Sequence, residues 1–291
     1  MTHTSTAFHL GPHIVVTDFR CAGACATHRG WEEAAAGHEI AITRQGTWTR
    51  HDAHGRHLAD ATRVFLFNGR APYRIEHPVA GGDHCIAVQY GDCLLAHAAE
   101  GLRARLKCEA TPFQVPWVVA RPAIQLLAAR LFARLSRIHA QDPLDRLACE
   151  ELALELLTAV LEGLDPATGR QRPRQRSHAR QQELVRAAEV EIARRFTEGV
   201  RLGDLARRLG CSPFHLAHTF RRHTGGAIHQ RLVQLRLADA LARLADSRAA
   251  IATIAHEIGF ADHAHLTATF ARRFRMTPSG FRRELASNTR S

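Results

Sequence analysis

The stretch "IATIAHEIGFADHAHLTATFARRFRMTPSGFRR", Ile251 to Arg283, stops one apolar helical pattern at Gly259-Phe260 and restarts at once. Glycine is the residue best able to take the positive φ of a helix C-terminus, so the first helix is expected to end there. Asp262 then stands as N-cap of the next helix. Leu266 and Phe270, at i and i+4, share its inward face, while Arg272 and Arg273 emerge at the far end.

A second copy lies upstream in "LARRLGCSPFHLAHTFRRHTG" (205–225). Ala206, Leu209 and Gly210 correspond to Ala255, Ile258 and Gly259; Leu216 and Phe220 correspond to Leu266 and Phe270, after one inserted residue in the second turn. Ser212 is the expected N-cap here, with Pro213 in the first helical turn. Helix, glycine turn, helix with a basic flank is the helix-turn-helix arrangement, whose second helix enters the major groove of DNA.

Between the copies, "IHQRLVQLRLADALARLAD" (228–246) reads as one helix with two apolar stripes. Leu232, Leu235, Ala238, Ala242 and Ala245 form one; Val233, Leu237, Leu241 and Leu244 form the other. A helix apolar on two faces is expected to lie between two partners. It would hold the two pairs apart for successive major grooves, about 34 Å along the duplex.

Charge agrees. Residues 1–169 carry 16 Lys+Arg against 18 Asp+Glu, whereas residues 170–291 carry 23 against 10. A general arginine bias would enrich both halves, so a polyanionic partner is expected for the second half alone. Nucleic acid is the reading.

The first half has a different rhythm. From about 12 to 92, short runs such as "HEIAITRQGTWTRH", "TRVFLFN" and "HCIAVQY" alternate with turn-forming "DAHG", "NGRAPY" and "HPVAGGDH". A small β-sandwich or barrel follows. After Pro122 the period becomes helical, giving two amphipathic helices across 123–163. "DPATGRQRPRQRSHARQQ" (165–182), with two prolines and no apolar period, reads as a linker.

The last hundred residues resemble the DNA-binding region of the AraC/XylS family of transcriptional regulators, through "IATIAHEIGF", "LTATF" and "RMTPSGFR" and the spacing of the two copies. The resemblance covers about a third of the chain. It implies an α+β multidomain protein: a cupin-like β-barrel or sandwich with a helical hairpin, then an all-α domain with two helix-turn-helix motifs. The expected division is a cupin-like sensor domain at 1–115, a helical dimerisation segment at 116–164, a linker at 165–182 and a DNA-binding domain at 183–291. The implied partners are promoter DNA, a small-molecule effector, RNA polymerase and a second copy in a homodimer. The resemblance also implies an activator or repressor without a cofactor; with no secretory signal in "MTHTSTAFHLGPH" and no apolar span, a cytoplasmic location without membrane attachment is expected.

Carried over by position, base-reading residues would be Phe214, Ala217 and His218 in the first copy, and His263, Ala264, Thr267 and Ala268 in the second. Many family members have Arg where His218 and Ala268 stand, and Arg is the commonest specific reader of guanine. Less direct readout by the second helix is therefore expected. Arg221, Arg222, Arg272 and Arg273 lie beyond the groove-facing turns and are expected on phosphates.

Seven scattered cysteines do not form a disulfide framework. Cys21, Cys25 and His28 have a C-x3-C-x2-H spacing that could seed a metal site, with His51, His54, His57, His77 and His84 as further ligands. Twenty histidines make coincidental clusters common, so this ranks below the regulator, as a metal-binding cupin enzyme or a metal or redox sensor fused to a DNA-binding domain. No nucleophile elbow, phosphate loop or H-E-x-x-H motif suggests catalysis, and no apolar run approaches the ~20 residues of a membrane span.

Overall fold

The computed structural model describes residues 3–23, 33–101, 112–136, 143–164 and 176–287. Among these, ten strands form two sheets. The six-stranded sheet holds β1 (His3–His9), β2 (Ile14–Cys21), β4 (His38–Gly46), β7 (Arg63–Phe67), β9 (Asp83–Tyr90) and β10 (Trp117–Val119), in the order β1-β2-β9-β4-β7-β10. The four-stranded sheet holds β3 (Glu33–Ala34), β5 (Trp48–Asp52), β6 (Gly55–Ala59) and β8 (Pro72–Glu76), in the order β3-β8-β5-β6.

Alternation along β4 explains the layering. Ile40 and Ile42 join Ile14, Val16, Ile86 and Val88 on one face, against α2 (Pro122–Leu135) and α3 (Pro143–Leu161). Ala41 turns to the other face, with Trp48, Phe65, Phe67 and Ala87, against the second sheet. The run from Ile40 to Trp48 is not one strand: the register shifts between Thr43 and Gln45, and Gly46 has φ 75°. Strand β1 was not legible, because "HTSTAFH" is exposed almost throughout and shows no alternation. Helix α1 (Asp92–Gly101) and β10 also fall outside the stretches read from pattern.

The second half is helical: α4 (Arg176–Arg195), α5 (Leu202–Arg208), α6 (Pro213–Thr224), α7 (Ile228–Asp246), α8 (Ile251–Glu257), α9 (His263–Phe274) and α10 (Pro278–Ser287). Helix α4 begins inside the stretch expected as linker, of which 165–175 lie outside the described residues. The stripes of α7 divide much as expected. Leu232 and Leu235 enter a core with Val185, Ile192, Leu216 and Phe220. Leu237, Leu241 and Leu244 enter another with Ile258, Leu266, Phe270 and Phe281, joined by Ala245 from the opposite stripe.

Helix α2 joins the halves. Ile124, Leu127 and Leu131 pack on the six-stranded sheet, while Leu126, Ala129 and Ala133 enter the second helical core. Both sides of α2 are thus covered within one chain. Helix α3 keeps an outward face, where Leu147 is 52% exposed beside Glu151 and Glu155. No helix among the described residues is long and apolar enough to cross a membrane.

Candidate nucleic-acid interface

Two helix–turn–helix pairs repeat closely in dimension. Helices α5 and α8 have 7 residues each, and α6 and α9 have 12 each. In each turn a backbone N–H reaches back to the preceding helix: Cys211 N to Ala206 O at 3.0 Å, and Phe260 N to Ala255 O at 2.9 Å. The glycines between take the expected positive φ, 65° at Gly210 and 84° at Gly259. Ser212 Oγ accepts from His215 N at 3.1 Å, and Asp262 Oδ1 accepts from His265 N at 2.7 Å. Both expected N-caps form, each worth about 1 kcal/mol.

Opposite the buried Leu216 and Phe220, the start of α6 lies open. Phe214 is 82% exposed, and its ring lies nearly parallel to that of His218 at 6.1 Å. Ala217 is half-buried beside them. On α9, His263, Ala264 and Ala268 are exposed and Thr267 is half-buried, with Thr267 Oγ1 3.5 Å from His263 Nε2. Arg221, Arg222 and Arg272 are exposed in the last turns of their helices. The connecting α7 has 19 residues, a rod of roughly 28 Å at 1.5 Å per residue.

Residues 205–284 match a family described as "Helix-turn-helix domain". The HTH-type transcriptional activator RhaS of Pectobacterium carotovorum is 27% identical over 175 residues, 60% of this chain and 60% of RhaS. The HTH-type transcriptional regulator GlxA of Rhizobium meliloti is 37% identical over 83 residues, 28% of this chain and 26% of GlxA. Among solved structures, an AraC-type DNA-binding domain-containing regulator from Chromobacterium violaceum is 25% identical. It covers 37% of this chain and 96% of that one, at a TM-score of 0.35.

The C-terminal domain is of the AraC type.

Within this AraC-type domain two arginines serve the fold in ways the pattern did not reveal. Arg273, expected on phosphate, is half-buried and points at Gln125 Oε1 of α2, 3.5 Å away; burial pushes its guanidinium below the usual range. Arg236 of α7 donates to three backbone carbonyls: Phe196 at 2.6 Å, Glu198 at 2.7 Å and Gly259 at 2.5 Å. It ties the end of α4 to the turn of the second pair.

The AraC-type domain is also held to the sandwich by ion pairs between side chains. Arg231 of α7 donates to Asp60 Oδ2 at 2.5 Å and to Thr62 Oγ1. Arg63 forks onto both carboxylate oxygens of Glu189 in α4, and Arg44 donates to Asp246 at the end of α7 at 2.9 Å. Beside these contacts opens a cleft of about 740 Å³, lined by Trp117 and Val119 of the sandwich, Glu183 and Arg186 of α4, and His223 and Gln234 beyond. Sequence pattern reports which face of a helix is apolar, not which distant domain covers it, so these partners had no signal.

Of the suggested metal ligands, Cys25 and His28 lie outside the described residues. His51 pairs with Glu76 and His84 with Asp18. His77 alone of the five histidines comes to Cys21, together with Asp83.

Proposed function

We propose that the chain is a sequence-specific DNA-binding transcription regulator, with both helix pairs acting as helix-turn-helix motifs on one duplex. The observation that carries this is the repeated pair, with Phe214 and His218 exposed at the start of one 12-residue helix and His263 and Ala264 at the start of the other. A groove-reading helix contacts base edges from its N-terminal residues. Phe214, Ala217, His218, His263, Ala264, Thr267 and Ala268 are the base-facing set, and Arg221, Arg222, Arg272 and Arg273 the phosphate set. Arg273 takes that role only where its contact with α2 opens.

In this reading the N-terminal domain is cupin-like and takes a small-molecule effector. The cleft between the domains supports a site there, because an occupant would touch both halves and so have differential affinity for two arrangements. The outer face of α3, with Leu147, supports homodimer formation, since α2 is already covered. RNA polymerase is the further partner, the cytoplasm the compartment, and no reaction is catalysed.

Selection of bound sequences from a random duplex pool tests the reading. A preferred sequence bound more than about 10³-fold over bulk DNA is expected. Equal binding to all sequences would make the chain an architectural protein instead.

A further inference from the structure

Cys21, His77 and Asp83 come from three separate stretches and place one ligand-type atom each within 4.8 Å of one another. The fold builds this meeting. Strands β2 and β9 pair Cys21 directly opposite Asp83, and His77 follows the end of β8 at Glu76. Gly82, at φ 72°, lets the two strands close: a Cβ there would stand 1.8 Å from the Cys21 carbonyl oxygen. Any larger residue would separate Cys21 from Asp83.

The surroundings are those of a held site. The side chains of His77 and Asp83 are 5% and 8% exposed and touch through His77 Nε2 and Asp83 Oδ1. The other ring nitrogen, His77 Nδ1, is buried with no hydrogen-bond partner among the described residues. Behind the carboxylate, the Cys85 thiol donates to Asp83 Oδ2 at 2.9 Å, and Trp48 Nε1 donates to Cys85 Sγ at 3.0 Å. These bonds fix the carboxylate as outer-shell partners fix metal ligands.

We infer that Cys21, His77 and Asp83 form a binding site for a thiophilic divalent cation of the zinc class. Thiolate, imidazole and carboxylate are the three donor types that zinc takes, at 2.0–2.3 Å in a tetrahedron, which sets the ligand atoms about 3–4 Å apart. The present cluster needs only a small opening of the His77–Asp83 contact. Three protein ligands leave a fourth position for water or an exogenous donor. The site lies beside His84, whose neighbour Arg44 pairs with Asp246 at the end of α7. This inference stands apart from the reading of the chain as a regulator and would survive its failure.

The test is a titration of the reduced, chelator-stripped full-length protein with Co2+, followed by Zn2+. A thiolate-to-cobalt charge-transfer band should saturate at one equivalent and be bleached by Zn2+, and Zn2+ should raise the melting temperature. Cys21→Ser and His77→Ala should each abolish the band and the thermal shift, while Cys93→Ser, at an exposed thiol on α1, should keep both. Absence of the band in the wild type overturns the site. So does a band that survives His77→Ala or depends on Cys25 and not on Cys21.

Discussion

The guanidinium of Arg231, on the helix between the two pairs of the AraC-type domain, donates a 2.5 Å hydrogen bond to the carboxylate of Asp60 in the β-sandwich. The Asp60 side chain is 2% exposed and that of Arg231 12%. Asp60 also accepts from Thr62 N and Oγ1, at 2.9 and 2.7 Å. Two domains that share a buried ion pair report on each other's position.

Removing one partner leaves a charge stranded, which costs on the order of 3–5 kcal/mol, whereas replacing both costs much less. Arg231→Gln should therefore lower the thermal midpoint sharply, and Asp60→Asn with Arg231→Gln should recover a large part. Thermal melts of the two single variants and the double variant check this. Additive losses would mean that the pair is not coupled.

The two turn glycines should respond unequally to alanine. At Gly210 a Cβ meets nothing within 4 Å, so Gly210→Ala carries only the left-handed backbone cost of about 1–2 kcal/mol. At Gly259 a Cβ would stand 2.4 Å from Thr197 O and 2.8 Å from the Arg236 guanidinium. Gly259→Ala should lose more than Gly210→Ala, by roughly 1–3 kcal/mol of overpacking strain, in chemical denaturation.

Burial raises the Glu39 carboxyl to about 7. The folded state then holds a proton that the unfolded state releases near pH 4.5. Stability falls as pH rises from about 4.5 to 7, and the loss is complete above that window. Glu39→Gln should raise the melting temperature at pH 8 and leave it nearly unchanged at pH 4. A uniform effect at both would rule out this origin.

Much of the AraC-type domain was legible because its rules are local. Gly210, Gly259, Ser212 and Asp262 announce turns and caps through chemistry confined to a few residues, and the two stripes of α7 announce two cores. The relations across domains were not. Arg273 reads as a basic flank in sequence but turns to Gln125, and Arg231 gives no sign that its partner is Asp60, 171 residues away. In the first half, β1 is polar and exposed and so lacks the alternation by which a strand is recognised. Cys21 and His77 were both named as metal ligands, but the third member, Asp83, depends on the register of β2 with β9.

Phosphate contacts predict a salt dependence. Each lost contact should flatten the fall of log affinity with log salt by about one unit. The exposed Arg221, Arg222 and Arg272, replaced together by Ala, should flatten it by about three; Arg282, which donates to Ala249 O at 2.8 Å, should change it little. Binding isotherms at a series of salt concentrations measure the slope.

In the proposed function, α6 and α9 read one duplex together, each with the residues at its start. Binding-site selection with the wild type, Phe214→Ala and His263→Ala tests it most directly. Each substitution should relax preference in its own block of bases, the two blocks lying about 10 base pairs apart. Relaxation of the same positions by both, or of none by either, would contradict it.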